Sequence, residues 1–209
     1  FQLALHDLEI RGAGEIFGAR QSGFIHAVGF DMYQRMLEDA VQELSSDGVT
    51  PAHKNNGNGE FEPRIDFPFD AYLPNDYVEE PEHRVELYRR LSGAQEVEDL
   101  RRLTEEIGDR YGSPPEAARH LFDLIELKIG CWRAGVARLE LKDQYLLAEL
   151  HPGSDGQWGQ RLQQVVGRVQ GFPVEFTGGD PPALRLRWNG STPWPLKIDQ
   201  TNALLRQLQ

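Results

Sequence analysis

Arg11 and Gln21 flank a glycine-rich turn that carries Gly12, Gly14 and Gly18 between them and Gly23 just beyond. A guanidinium is a planar fork of five donors, and a primary amide both donates and accepts. The two together suit phosphate oxygens or main-chain groups of a single target. Composition alone leaves a plainer reading open, in which a surface arginine and a loop glutamine simply hold the turn together.

Other chemistries fail on spacing. Gly12-Ala-Gly14-Glu-Ile-Phe-Gly18 has the form G-x-G-x-x-x-G, follows a stretch that reads helical, and sits in no βαβ unit, so it is not a dinucleotide fingerprint. Its glycines instead let the backbone turn sharply and pack closely. Cys131 and the six histidines, His83, His120 and His151 among them, never fall at metal-ligand spacing, and a metal site is not expected. Ser22 and His26 are four apart but lack an orienting acid and an oxyanion hole. Glu105, Glu106, Asp109 and Arg110 share one helix and read as solvated charges rather than acid–base catalysts. The sequence contains no P-loop, so no nucleotide hydrolysis, no catalytic residue and no bound cofactor are expected of this piece.

The elements that position these residues follow from periodicity. Phe1–Leu8 reads as the middle of a helix, with no initiator Met, and the chain reads as a piece of a larger protein. Phe30, Tyr33, Met36, Leu37, Ala40, Val41 and Leu44 form one helical stripe. Residues 45–60, with Ser45-Ser-Asp-Gly48 and Asn55-Asn-Gly-Asn-Gly59, have no period and read as a flexible linker. The expected organisation is therefore 1–44 as a helical hook, 45–60 as linker and 61–209 as a second domain.

Within that second domain, the prolines of Arg64–Pro74 allow only an edge strand or a packed loop. Helices are expected over Pro81–Leu91, Val97–Tyr111 and from Ser113-Pro-Pro-Glu116 to about Ala134, the last with a serine cap. This third helix is apolar on several sides and should be the most buried. Gly130 within it costs about 1 kcal/mol relative to alanine. From Val136 the period becomes two, with Ala137, Leu139 and Leu141 on one face, and Tyr145–Leu150 can return as a hairpin partner. Trp158, Leu162, Val165, Val166 and Val169 suggest a helix. Val174 and Phe176, then Leu184, Leu186 and Trp188, suggest strands, and Asp199–Leu208 a closing helix. The fold class is α+β: a helical hook and linker, a helical subdomain, then a small mixed sheet with helices on one face.

Composition sets the outer limits. At 209 residues, 39% apolar and 26% charged, the chain has room for one large or two small cores. No apolar run approaches a membrane span and no signal segment opens the chain, so a cytoplasmic location without membrane association is expected. One cysteine excludes an internal disulfide. The formal net charge is −11, and residues 60–112 alone carry fifteen acidic against seven basic side chains. Such a surface should be repelled by phosphate backbones, and any role on nucleic acid must come through a partner or another region.

His6-Asp-Leu-Glu-Ile-Arg-Gly-Ala-Gly-Glu15 with Gln21-Ser-Gly23 resembles the translocation motif shared by RecG-type DNA translocases and the transcription-repair coupling factors. Val28-Gly-Phe-Asp-Met-Tyr33, Phe69-Asp-Ala-Tyr-Leu-Pro-Asn-Asp-Tyr-Val78, Glu86-Leu-Tyr-Arg-Arg-Leu91 and Asp109-Arg-Tyr-Gly-Ser-Pro-Pro115 resemble the C-terminal region of the coupling factors, a tail that RecG-type enzymes lack. Ala19-Arg20 departs from the acidic pair common in that family. The resemblance covers residues 1 to about 140.

It implies that 1–44 close the second lobe of a motor. The motif residues Glu9, Arg11, Gly12, Gly14 and Gln21 would couple ATP hydrolysis, with ATP and Mg bound elsewhere in the parent, to movement along double-stranded DNA and displacement of stalled RNA polymerase. It also implies that 61–209 form a C-terminal regulatory domain. That domain would pack on an N-terminal UvrB-like module and mask the surface that recruits UvrA, with Glu106 and Arg110 at the clamp. Two alternatives are a fragment of a RecG-like branched-DNA helicase and a stand-alone acidic adaptor.

Overall fold

The computed structural model describes residues 61–151, 169–177 and 181–209. The hook, the linker, the Gly178–Asp180 turn and the helix expected around Trp158–Val166 lie outside these residues. Four helices are present among them: α1 (Pro81–Ser92), α2 (Val97–Tyr111), α3 (Glu116–Ala134) and α4 (Trp194–Leu208). Five strands, β1 (Arg64–Asp66), β2 (Val136–Leu141), β3 (Tyr145–Leu150), β4 (Val174–Thr177) and β5 (Ala183–Arg187), make one sheet of order β1-β2-β3-β5-β4. This is the expected α+β class. The chain divides into two compact units, one holding Phe69–Phe122 and the other 61–68 with Asp123–Gln209, the division falling within α3.

In the first unit α1 begins at Pro81, whose fixed φ suits the first helical position, and Glu82 in the first turn with Arg89 and Arg90 in the last complement the helix dipole. α2 buries Leu100, Leu103 and Ile107, a stripe at helical spacing, and leaves its charges outside. It stops at Gly112, whose φ of +86° is accessible to glycine at little cost and whose N–H bonds Gly108 O at 2.9 Å. α3 opens at Glu116 rather than at the expected serine cap, and the Arg119 N–H bonds Pro115 O at 3.0 Å. The reason lies in the proline pair, because Pro115 disfavours the helical region for Pro114 and delays the start.

In the second unit, antiparallel pairing of β2 with β3, β3 with β5 and β5 with β4 aligns buried rows across the sheet. Leu139, Ala148, Leu184 and Phe176 form one row; Leu141, Leu146, Leu186 and Val174 form the next. α3 contributes Leu127, Cys131 and Ala134, and α4 Leu204, Leu205 and Leu208, to the same core, so both helices cover one face. Each fully buried leucine there is worth about 1.5–3 kcal/mol relative to exposure. The register shifts between Val136 and Arg138, which buries Val136 and leaves Ala137 half-exposed, against the simple alternation expected. β1 is an edge strand parallel to β2, and the intervening chain carries α1–α3.

Two local details matter for stability. A Cβ on Gly130 would lie 3.0 Å from Leu205 Cδ1, so the glycine sets the approach of α4 to α3. α4 starts five residues earlier than expected, because Pro195 falls within the first turn, where its missing N–H has no helical partner to lose.

Candidate interaction surface

Glu106 and Arg110 are exposed on α2, on one flank of its buried stripe of Leu100, Leu103 and Ile107. Their four-residue spacing allows an ion pair along the helix, but Glu106 is engaged elsewhere. Both its carboxylate oxygens accept from Arg90 on α1, Oε1 from Nη1 at 2.6 Å and Oε2 from Nη2 at 2.5 Å. This is a two-pronged fork between helices, with the side chains 40% and 51% exposed. The Arg90 hydrogen bonds hold the Glu106 carboxyl below its ordinary range, with a smaller contribution from the charge of Arg110. They hold the Arg90 guanidinium above its own.

Arg110 lies over the Tyr111 ring at 5.2 Å from its centre. Tyr111 in turn meets Tyr77 with ring centres 6.1 Å apart, and the Tyr77 hydroxyl donates to Gly112 O at 2.8 Å. Burial, and then Tyr111, push the Tyr77 hydroxyl pKa upward. Arg110 is thereby laid along the C-terminal end of α2, close to the turn at Gly112. The exposed charges of α2 run in same-sign pairs along the chain, Glu98 with Asp99, Arg101 with Arg102 and Glu105 with Glu106, followed by Asp109 and Arg110. Asp99 pairs with Arg102 at 3.8 Å, and Glu98 with Arg101 at 4.0 Å. The surface is thus a patterned set of charges rather than a uniformly acidic patch.

The unit beneath is braced by buried polar contacts that periodicity does not reveal. Arg84 is 2% exposed and donates through Nη1 to Val78 O at 2.6 Å and Glu79 O at 3.0 Å, tying the chain before α1 to the helix. The Tyr88 hydroxyl accepts from Leu73 N–H at 2.8 Å. Tyr88 enters the sequence reading only as part of Glu86–Leu91, and Arg84 there resembles any other charge of an amphipathic helix. Its one signal is its place three residues before Leu87 and seven before Leu91, on the buried stripe.

The remaining candidates separate cleanly. Glu9, Arg11, Gly12, Gly14 and Gln21 lie outside the described residues, as do Ser22 and His26. His120 stacks on Phe69 with centres 4.3 Å apart, and His151 on Phe61 at 4.2 Å. Among the described residues no three His, Cys, Asp or Glu side chains group to hold a metal ion, and no helix is long and apolar enough to cross a membrane. Cys131 is fully buried, which drives its thiol pKa far upward and removes its nucleophilicity at neutral pH.

Residues 67–159 match the family described as the TRCF domain. The chain is 36% identical to the transcription-repair-coupling factor of Bacillus subtilis over 182 residues, covering 84% of this chain and 15% of that protein. It is 37% identical to the factor of Myxococcus xanthus over 172 residues, covering 82% and 14%, and 31% identical to that of Staphylococcus aureus over 179 residues, covering 84% and 15%. The chain thus spans about one seventh of the length of these relatives. In fold it matches a crystal structure of the C-terminal domain of transcription-repair coupling factor, with a TM-score of 0.60 at 17% identity, over 71% of this chain and 92% of that one.

Proposed function

Because the chain belongs to the transcription-repair coupling factor family through its TRCF domain, we propose that it transmits and restrains the work of a motor located elsewhere in its parent protein. The parent is an ATP-dependent translocase on double-stranded DNA that displaces stalled RNA polymerase, with ATP and Mg held outside this chain. Residues 1–44 are the hook that couples hydrolysis to movement. Arg11 and Gln21 contact the moving parts there, and Glu9, Gly12 and Gly14 shape the turn. Residues 61–209, reached through the 45–60 linker, are the regulatory domain. It packs on the parent's UvrB-like module and covers the surface that recruits UvrA in nucleotide excision repair, in the cytoplasm.

The observation that carries this reading is the exposed face of α2, where Glu106 and Arg110 stand in solvent on a helix anchored from below by Leu100, Leu103 and Ile107. A rigid helix with outward charges fits a docking contact that must form and release. Patterned charges of both signs favour register and partner choice more than raw affinity. The experiment is made in the full-length parent. Glu106→Lys should raise UvrA binding and basal ATP hydrolysis, and unchanged values for both would refute the clamp. Independently, Arg11→Ala should preserve ATP hydrolysis and abolish displacement of stalled polymerase; retained displacement would remove the hook from the account.

A further inference from the structure

We propose that Arg90 is an in-chain competitor for Glu106, so that the clamp on α2 closes only by opening the fork between α1 and α2. This rests on the reading of α2 as a docking face and adds the residue that sets how readily docking releases. The fork occupies both oxygens of the carboxylate, at 2.6 and 2.5 Å. A partner guanidinium approaching end-on with the same two-pronged geometry needs the same lone pairs of both oxygens, and so must displace Arg90. The Arg90 hydrogen bonds are the largest influence on the Glu106 carboxyl, whereas Arg110, four residues along, ranks last.

The fork is also placed where it can be exchanged, at the surface and not in the core. Its two side chains are 40% and 51% exposed, in water where an ion pair adds little to stability. The buried bracing of the unit is supplied elsewhere, by Arg84 on Val78 O and Glu79 O and by Tyr88 on Leu73 N–H. What the fork changes is the charge on offer. With Arg90 in place the carboxylate is neutralised locally, and a basic partner gains from Glu106 only after separating the pair. The partner surface is therefore one that presents an arginine in register with Glu106, and its hold is weakened by the exchange. That is the property a cover needs if it is to be lifted.

The test uses the full-length parent and purified UvrA, with Glu106→Lys as the reference arm. Removing the competitor should tighten the cover, so Arg90→Gln should lower UvrA binding about 2- to 5-fold below wild type, the range set by the modest strength of exposed ion pairs. Arg90→Lys keeps the charge but loses the fork and should move in the same direction. The exchanged pair Arg90→Glu with Glu106→Arg restores the fork but removes the carboxylate from α2, and should behave as Glu106→Lys. If Glu106→Lys raises binding while Arg90→Gln leaves it at wild type or raises it too, Arg90 supports the helix pair and the competition is wrong, with the docking face intact. A wild-type result for the exchanged pair overturns the inference as well. No response to Glu106→Lys removes both the face and the competitor. Circular dichroism on each variant separates these results from unfolding.

Discussion

The two units solve the problem of charge in opposite ways. Residues 69–122 carry thirteen acidic and seven basic side chains; the described residues of the other unit carry nine of each. In the sheet unit charges are balanced across neighbouring strands, as with Lys142 on Asp66, Arg138 on Glu149 and Arg187 on Glu175. The helical unit leaves an excess of carboxylates outside and pairs the rest along or between helices. A surface balanced in place has little to offer a charged partner. One with surplus and exchangeable charge can bind and let go, which is why the functional reading falls on α2 and not on the sheet.

Each unit also ties a connecting segment to a helix through one buried cation, Arg84 in one and Lys197 in the other, and the largest predicted effect falls on the second. Lys197 is 1% exposed, and its ammonium donates to Asp143 O and Oδ1, both at 2.7 Å, above the Trp194 ring at 4.2 Å. It holds the β2–β3 turn to α4. Lys197→Ala should cost about 2–4 kcal/mol through the cavity and the unsatisfied carbonyl, and Lys197→Met less, because the stem is kept. Residues 69–122 hold no tryptophan, whereas Trp132, Trp188 and Trp194 lie in the second unit, so fluorescence during urea unfolding does not report on the helical unit. An unchanged midpoint for the alanine variant would show that Lys197 is not part of the fold's support.

In the helical unit Arg84→Met should cost about 2 kcal/mol, since two carbonyls lose their donor, and Tyr88→Phe about 1 kcal/mol. Hydrogen exchange on peptides from Val78–Leu91 measures this. Loss of protection confined to the sheet unit would contradict the assignment.

A smaller effect is expected where α3 meets α4. Gly130→Ala gains about 1 kcal/mol of helix propensity but forces a Cβ against Leu205, costing about 1–3 kcal/mol. The net should be destabilising, and Leu205→Val should relieve part of it. A more stable single variant would mean that the two helices have room to spare.

The smallest effect sharpens the comparison. Arg90→Gln should barely alter the urea midpoint of the helical unit at pH 7, in contrast to Arg84→Met. The fork lowers the folded-state pKa of Glu106, so its contribution is present above the ordinary carboxylate range and disappears as pH falls through the lowered value. The difference between wild type and Arg90→Gln should therefore vanish in acid. Lys142 behaves in the opposite sense. Its hydrogen bond to Asp66 raises its pKa, so that contribution is complete below the ordinary lysine range and is lost as pH rises through the raised value.

Local order was largely legible. The spacing of Leu100, Leu103 and Ile107 gave α2, the alternation after Val136 gave the β2–β3 hairpin, and the prolines near Arg64 left an edge strand or a packed loop, of which Arg64–Asp66 form the strand. Each depends on a period that a short stretch carries by itself. Where reading failed, proline was usually at fault: it delays α3 at Pro114-Pro115 yet is welcome in the first turn of α4 at Pro195. Gly130, read as a cost, is also the gap through which Leu205 approaches.

The candidate site was legible only in part. Glu106 and Arg110 came from a resemblance to the coupling factors, and nothing in local pattern indicated Arg90, sixteen residues away, as the partner of Glu106. From residue order alone came the elements, the surplus of negative charge and the family, because propensity, periodicity and motif spacing are properties of neighbouring residues. Tertiary structure decided the parallel pairing of β1 with β2, the burial of Arg84 and Lys197, and which arginine holds Glu106. Those depend on how helices and strands cross, and the crossing is fixed by packed side chains distant in sequence.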